Sequence, residues 1–97
     1  MTERTLTVTC IPREAGWRCH VVIGEDAAAT EHEVEVSAET LADLAPGAKP
    51  EDLVRESFVY LLEREPRESV MRSFELPIIA RFFGDYLDEV SRRLRGE

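Results

Sequence analysis

Apolar and polar residues alternate strictly along three early stretches of the chain, then recur at helical spacing to its end, so the pattern divides the protein into a sheet-forming third and a helix-forming remainder. Over residues 4–12, Leu6, Val8 and Cys10 fall on one side, and Thr5, Thr7, Thr9 and Ile11 on the other. Over 17–23 the set Trp17, Cys19, Val21, Ile23 opposes Arg18, His20, Val22. The intervening Arg13-Glu14-Ala15-Gly16 predicts a short turn whose glycine takes positive φ. A one-residue slip turns a whole strand over, so matching the apolar faces selects one register: Pro12 opposite Trp17, Cys10 opposite Cys19, Val8 opposite Val21, Leu6 opposite Ile23. Residues 30–36 alternate again, with His32, Val34 and Val36 inward and Glu31, Glu33 and Glu35 outward. The expectation is a three-stranded antiparallel meander.

The period then changes to 3.6. Ser37 is placed to cap a short helix carrying Leu41 and Leu44, which stops at Pro46-Gly47. Pro50, followed by Glu51 and Asp52, opens a second helix on which Leu53, Val54, Phe58, Leu61 and Leu62 span about half the circumference, with Val59 and Tyr60 beyond that face. This reads as a central helix between the sheet and the C-terminal segments. Pro66 restarts the chain as a helix bearing Val70, Met71 and Phe74, and Pro77 restarts it with Ile78, Ile79, Phe82 and Phe83. After Gly84-Asp85, Leu87, Val90 and Leu94 form a narrow stripe, with Asp88–Arg92 and Glu89–Arg93 as i,i+4 pairs.

The expected fold class is α+β: a single domain over 1–97, with a β-sheet over 1–36 and a helical half over 37–97 whose four to five short helices pack on one face of the meander. At 97 residues there is room for one core. The run from Phe58 through Pro66 and Pro77 to Phe83 resembles a segment of a family of small uncharacterised bacterial proteins in which an N-terminal sheet precedes a helical half, a likeness that extends back to about Val34. The resemblance implies that architecture and no activity.

Charge narrows the function. The chain carries 12 cations and 20 anions, a net −8, and neither half is basic. Such a field repels phosphate backbones and anionic lipids, so neither nucleic acid nor membrane is an expected partner. Arg92, Arg93 and Arg95 are explained by the negative end of the last helix, and the alternating charges of Glu63–Glu68 as solvated local pairs. No apolar segment approaches the length of a bilayer span and no charged leader opens the chain, which gives a cytoplasmic expectation.

Candidate chemistry begins with Cys10, Cys19 and His32, which the register gathers on one sheet face. They are the one arrangement that suggests a metal site, yet they lack a fourth ligand and the close C-x-x-C spacing of zinc sites. In a reducing compartment two buried thiols are the default, with a cross-strand disulfide as the second reading. His20 and His32 fall on opposite faces and form no dyad. Ser57, Ser69, Ser73 and Ser91 lack a nucleophile-elbow context, and the five glycines are isolated, so no catalytic residue and no cofactor is expected. The sequence reads as a small non-catalytic interaction or regulatory module whose partner is a protein or a second copy, with Phe83, Leu87, Val90 and Leu94 as the candidate self-association seam. The alternatives are a thiol- or metal-dependent protein using Cys10, Cys19 and His32, and an antitoxin-like regulator.

Overall fold

A computed structural model describes residues 5–25 and 27–96. The three alternating stretches are β1 (Leu6–Arg13), β2 (Gly16–Ile23) and β3 (Thr30–Ser37), antiparallel in sequence order. The β1–β2 register is the one that matches apolar faces: Leu6 with Ile23, Val8 with Val21, Cys10 with Cys19, Pro12 with Trp17. Residue 4, included in the expected first strand, lies outside the described residues. Gly16 does not take the positive φ expected of it. It is required for space instead, because a Cβ there would stand 2.1 Å from the Val36 carbonyl oxygen and 2.7 Å from Ser37 Cα. The β2–β3 pairing, which sets Gly16 against Ser37, closes too tightly at this end for any side chain.

Ser37 caps α1 (Ala38–Leu44), its hydroxyl accepting the Thr40 N–H at 3.0 Å. Pro50 opens α2 (Pro50–Leu62), with Glu51 and Asp52 in the first turn. Leu53, Val54, Phe58, Leu61 and Leu62 are buried as the 3.6-residue period demands. Tyr60, outside that arc, is buried too, because α4 (Tyr86–Leu94) packs on the far side of α2. The central helix is thus covered by the sheet on one flank and by α4 on the other.

The segment after Pro66 departs from expectation. In place of a helix carrying Val70, Met71 and Phe74, a single 3-10 turn at Arg67–Ser69 leads into a fourth strand, β4 (Ser73–Glu75), which lies parallel to β3 with Phe74 beside Val34. The sheet is therefore four-stranded and mixed, in the order β1-β2-β3-β4. Parallel pairing needs a long crossover, and α1 and α2 supply it by carrying the chain across the inner face to the far edge of β3. A 3-10 turn at Leu76–Ile78 and the one-turn α3 (Ile79–Phe82) then lead to α4. On α4, Arg93 pairs with Glu89 at 2.9 Å as expected, whereas Arg92 also turns to Glu89, at 3.8 Å. No described helix is long and apolar enough to cross a membrane.

Candidate functional site

Cys10 and Cys19 occupy directly opposed positions with their Cα atoms 4.0 Å apart, the shorter of the two spacings an antiparallel pair adopts, and their sulfurs are bonded to each other. The expectation of two reduced thiols is corrected by this disulfide. The face-matching register places the sulfurs within bonding reach, and the cross-strand disulfide, the second reading of the sequence, is the one found. Joined in this way, neither sulfur is a thiolate ligand, and the described residues contain no group of three or more His, Cys, Asp or Glu placed to hold a metal ion.

His32 lies on the same face beside Val21, buried, and its two nitrogens are committed to the fold. Nδ1–H donates to the Met71 carbonyl at 2.7 Å and Nε2 accepts the Thr30 hydroxyl at 3.0 Å, with the ring tilted on Phe58 at 5.6 Å between centroids. Next to it the Glu33 N–H donates to the Arg72 carbonyl at 2.7 Å, so His32 and β3 together hold the strand that sequence reasoning missed. Burial pushes the His32 imidazole below its ordinary value, which keeps the neutral tautomer these bonds require. A buried histidine on a strand of alternating valines is the sequence signal for such a tether, but its acceptor is 39 residues away and carries no local mark.

On the opposite face His20 stands between two carboxylates, with Nδ1 at 2.6 Å from Glu33 and Nε2 at 3.2 Å from Glu31, while Arg18 donates to Glu35 at 2.7 Å. The hydrogen bond to Glu33 raises the pKa of His20. These pairs are half-exposed and order a solvated face. As the strand parity requires, the two histidines form no dyad.

Of the serines, Ser57 is buried in a structural relay: the Tyr86 hydroxyl donates to Ser57 Oγ at 2.7 Å, which donates to the Leu53 carbonyl at 2.8 Å. Ser91 donates to the Leu44 carbonyl and ties α4 to α1. Tyr60 donates to Asp85 Oδ1 and carries the Arg64 guanidinium 3.6 Å above its ring. Burial, reinforced by that hydrogen bond, pushes the Tyr60 phenol up to about 12, and the same bond holds Asp85 below the usual carboxylate range. Arg93 donates to Glu63 at 2.7 and 3.0 Å, which depresses the Glu63 carboxyl. This polar cluster fastens α4 to α2.

The candidate seam of Phe83, Leu87, Val90 and Leu94 is divided by that packing. Val90 is fully buried, Phe83 and Leu94 are half-buried against the core, and Leu87 is 43% exposed. Of the stripe, Leu87 is the one residue that stands exposed. The more concentrated apolar surface lies one element earlier, where the end of α2, the 66–74 segment and α3 enclose a cavity of about 340 Å³. Leu61, Val70, Phe74, Ile79 and Phe83 form its walls, Glu65 and Ser69 are its polar members, and Met71 and Phe82, 43% and 67% exposed, stand at its mouth. The proline-bounded segments were legible as apolar, but the opening between them depends on β4 having left the helical layer. No protein-family model, curated protein or solved structure matches the chain, so the functional reading rests on these residues and their geometry.

Proposed function

We propose that this chain is a small non-catalytic interaction module that receives one or two large apolar side chains of a protein partner in the groove between α2 and α3. The observation that carries the reading is the groove itself, an apolar cavity with Phe82 standing 67% exposed at its rim. Monomeric folds do not ordinarily leave an aromatic side chain over an open apolar cavity unless something covers it. The deep polar groups support the same reading, since the side chains of His32, Ser57, Tyr60 and Tyr86 each hold one segment of the fold to another. The charge around the groove is compatible with a partner of either sign: residues 65–82 contain Arg67, Arg72 and Arg81 against Glu65, Glu68 and Glu75, a neutral stretch in a chain of net −8.

The test is selection of peptides from a displayed random library on the folded protein, followed by titration of the selected peptides into isotopically labelled protein. Peptides sharing large apolar residues should shift the backbone resonances of Val70, Met71, Ile79 and Phe82, and Phe82→Ala should weaken them by about tenfold or more, the cost of one buried aromatic contact. Selected peptides that bind elsewhere, or that are indifferent to Phe82→Ala, refute the groove as the recognition surface.

A further inference from the structure

A different observation, independent of the groove, concerns the free edge of β1. Gly24 N–H donates to the Thr5 carbonyl at 2.8 Å, and bonding alternates along an antiparallel pair, so Thr7, Thr9 and Ile11 turn their backbone groups toward β2 while Leu6, Val8, Cys10 and Pro12 turn theirs outward. The 4.0 Å Cα separation of Cys10 and Cys19 belongs to the non-bonded type of pair and agrees with this phase. Among the described residues, β1 has a strand neighbour on one side only.

Exposed edges are ordinarily guarded by charge, yet residues 5–12 form the longest uncharged run in a chain that is 33% charged. Two features modify the edge: Pro12 has no N–H to offer, and the Leu6 carbonyl is already occupied by Arg55, whose Nη1 donates to it at 2.6 Å. The core also stops short here. Leu6, Val8 and Cys10 are half-buried, whereas their partners Ile23, Val21 and Cys19 are completely buried.

We infer that β1 pairs antiparallel with β1 of a second copy about a two-fold axis through Thr9. Val8 then lies opposite Cys10 of the second copy, and Leu6 opposite Pro12. In this register the one missing donor, Pro12, faces the one carbonyl already satisfied, Leu6, so no edge group is left without a partner. About six backbone hydrogen bonds form, two in each Val8–Cys10 pair and one in each Leu6–Pro12 pair. The alternative register centred on Val8 sets Leu6 against Cys10, where the Arg55-occupied carbonyl meets an available donor. The Thr9-centred pairing joins two sheets into one of eight strands with all helices on one side, and continues the half-buried Leu6, Val8 and Cys10 row across the junction. A second acidic copy meets the first along the longest stretch that carries no charge.

The register makes a specific demand. Thr9 faces its own copy across the axis as a closely spaced pair on the outer face, away from the native disulfide, so Thr9→Cys should form a covalent dimer on mild oxidation that reverts on reduction. Thr7→Cys and Ile11→Cys should not cross-link alone but should cross-link when mixed, because residue 7 faces residue 11. Thr9→Lys opposes two ammonium groups at the axis and should weaken self-association by at least about tenfold, measured by sedimentation equilibrium, without loss of the circular dichroism of the fold. A parent protein that is monomeric at high concentration overturns the inference. So does cross-linking of Thr7→Cys or Ile11→Cys alone as efficient as that of Thr9→Cys, or a dimer that survives Thr9→Lys and is not trapped by Thr9→Cys. If Thr9→Lys does not fold, the cysteine pattern decides alone.

Discussion

Phe58→Ala probes the point where the two halves of the fold meet. Phe58 is fully buried at the middle of α2, with the His32 ring 5.6 Å away on β3 and the Phe74 ring stacked at 6.0 Å on β4. Truncation removes a whole aromatic side chain from a site whose walls are strands, which cannot collapse far into the space. The cost should therefore lie in the range of about 3–5 kcal/mol typical of buried Phe→Ala changes. Against a total of about 5–15 kcal/mol for a domain of this size, that is about a fifth of the stability or more. Trp17, the single tryptophan and half-buried on β2, reports unfolding in urea. With a slope of about 1.5 kcal/mol per molar, the midpoint should fall by about 2–3 M. Phe74→Ala is the internal control: Phe74 is only partly buried, so the loss should be smaller, about 2–3 kcal/mol. A loss below about 1 kcal/mol for Phe58→Ala, or a larger loss for Phe74→Ala, would refute the placement of Phe58 as the joint between helix and sheet.

Three further expectations concern titration and the disulfide. Because His32 is held neutral, the unfolded chain binds a proton near pH 6.5 that the folded chain refuses, so His32 lowers stability as pH falls below about 6.5; His20, with its pKa raised, acts oppositely through a weaker exposed contact. Urea midpoints between about pH 7.5 and 5.5 should decline in the parent and decline less in His32→Gln, and an unchanged slope in that variant argues against the neutral buried imidazole. Both tyrosines of the chain, Tyr60 and Tyr86, have pKa values raised by burial, Tyr60 to about 12. Absorbance at about 295 nm should stay flat through the ordinary phenol range near pH 10 in folded protein and rise there only after denaturation; stability lent by the neutral phenols is present below about pH 10 and lost as pH climbs through about 12. Finally, denatured protein should present no reactive thiol before reduction and two after it, and Cys10→Ser/Cys19→Ser should cost about 2.5 kcal/mol for a bridge spanning nine residues.

The local physics of the first third is readable from residue order. Alternation assigns faces to Leu6, Val8 and Cys10, and to Cys19, Val21 and Ile23; burying one face excludes every odd slip, and the short turn between Arg13 and Gly16 then selects the register that is found. The same holds for Ser37 as a cap and for Pro50, Leu53, Val54 and Phe58 on α2, where the cues lie within a turn of the residues they govern. Beyond these, tertiary structure decided. Val70, Met71 and Phe74 have helical spacing, but the free edge of β3, the Met71 carbonyl bond to His32 and the packing of Phe74 on Phe58 outweigh a preference that a segment of so few residues expresses weakly. Tyr60 lies off the apolar arc and with Val59 marks α2 as a helix lying between two layers, but that α4 is the second layer, bringing Tyr86 and Val90 against Tyr60, is decided by the tertiary structure. Gly16 looks like a turn glycine and is instead the place where the β3 backbone passes too closely for a side chain. The apolar groove exists only because β4 leaves the helical layer, and the β1 edge is open because, among the described residues, no later strand returns to it. Sequence determines what each segment prefers within its own few residues, whereas contacts between segments tens of residues apart determine which preferences prevail and which surfaces remain uncovered.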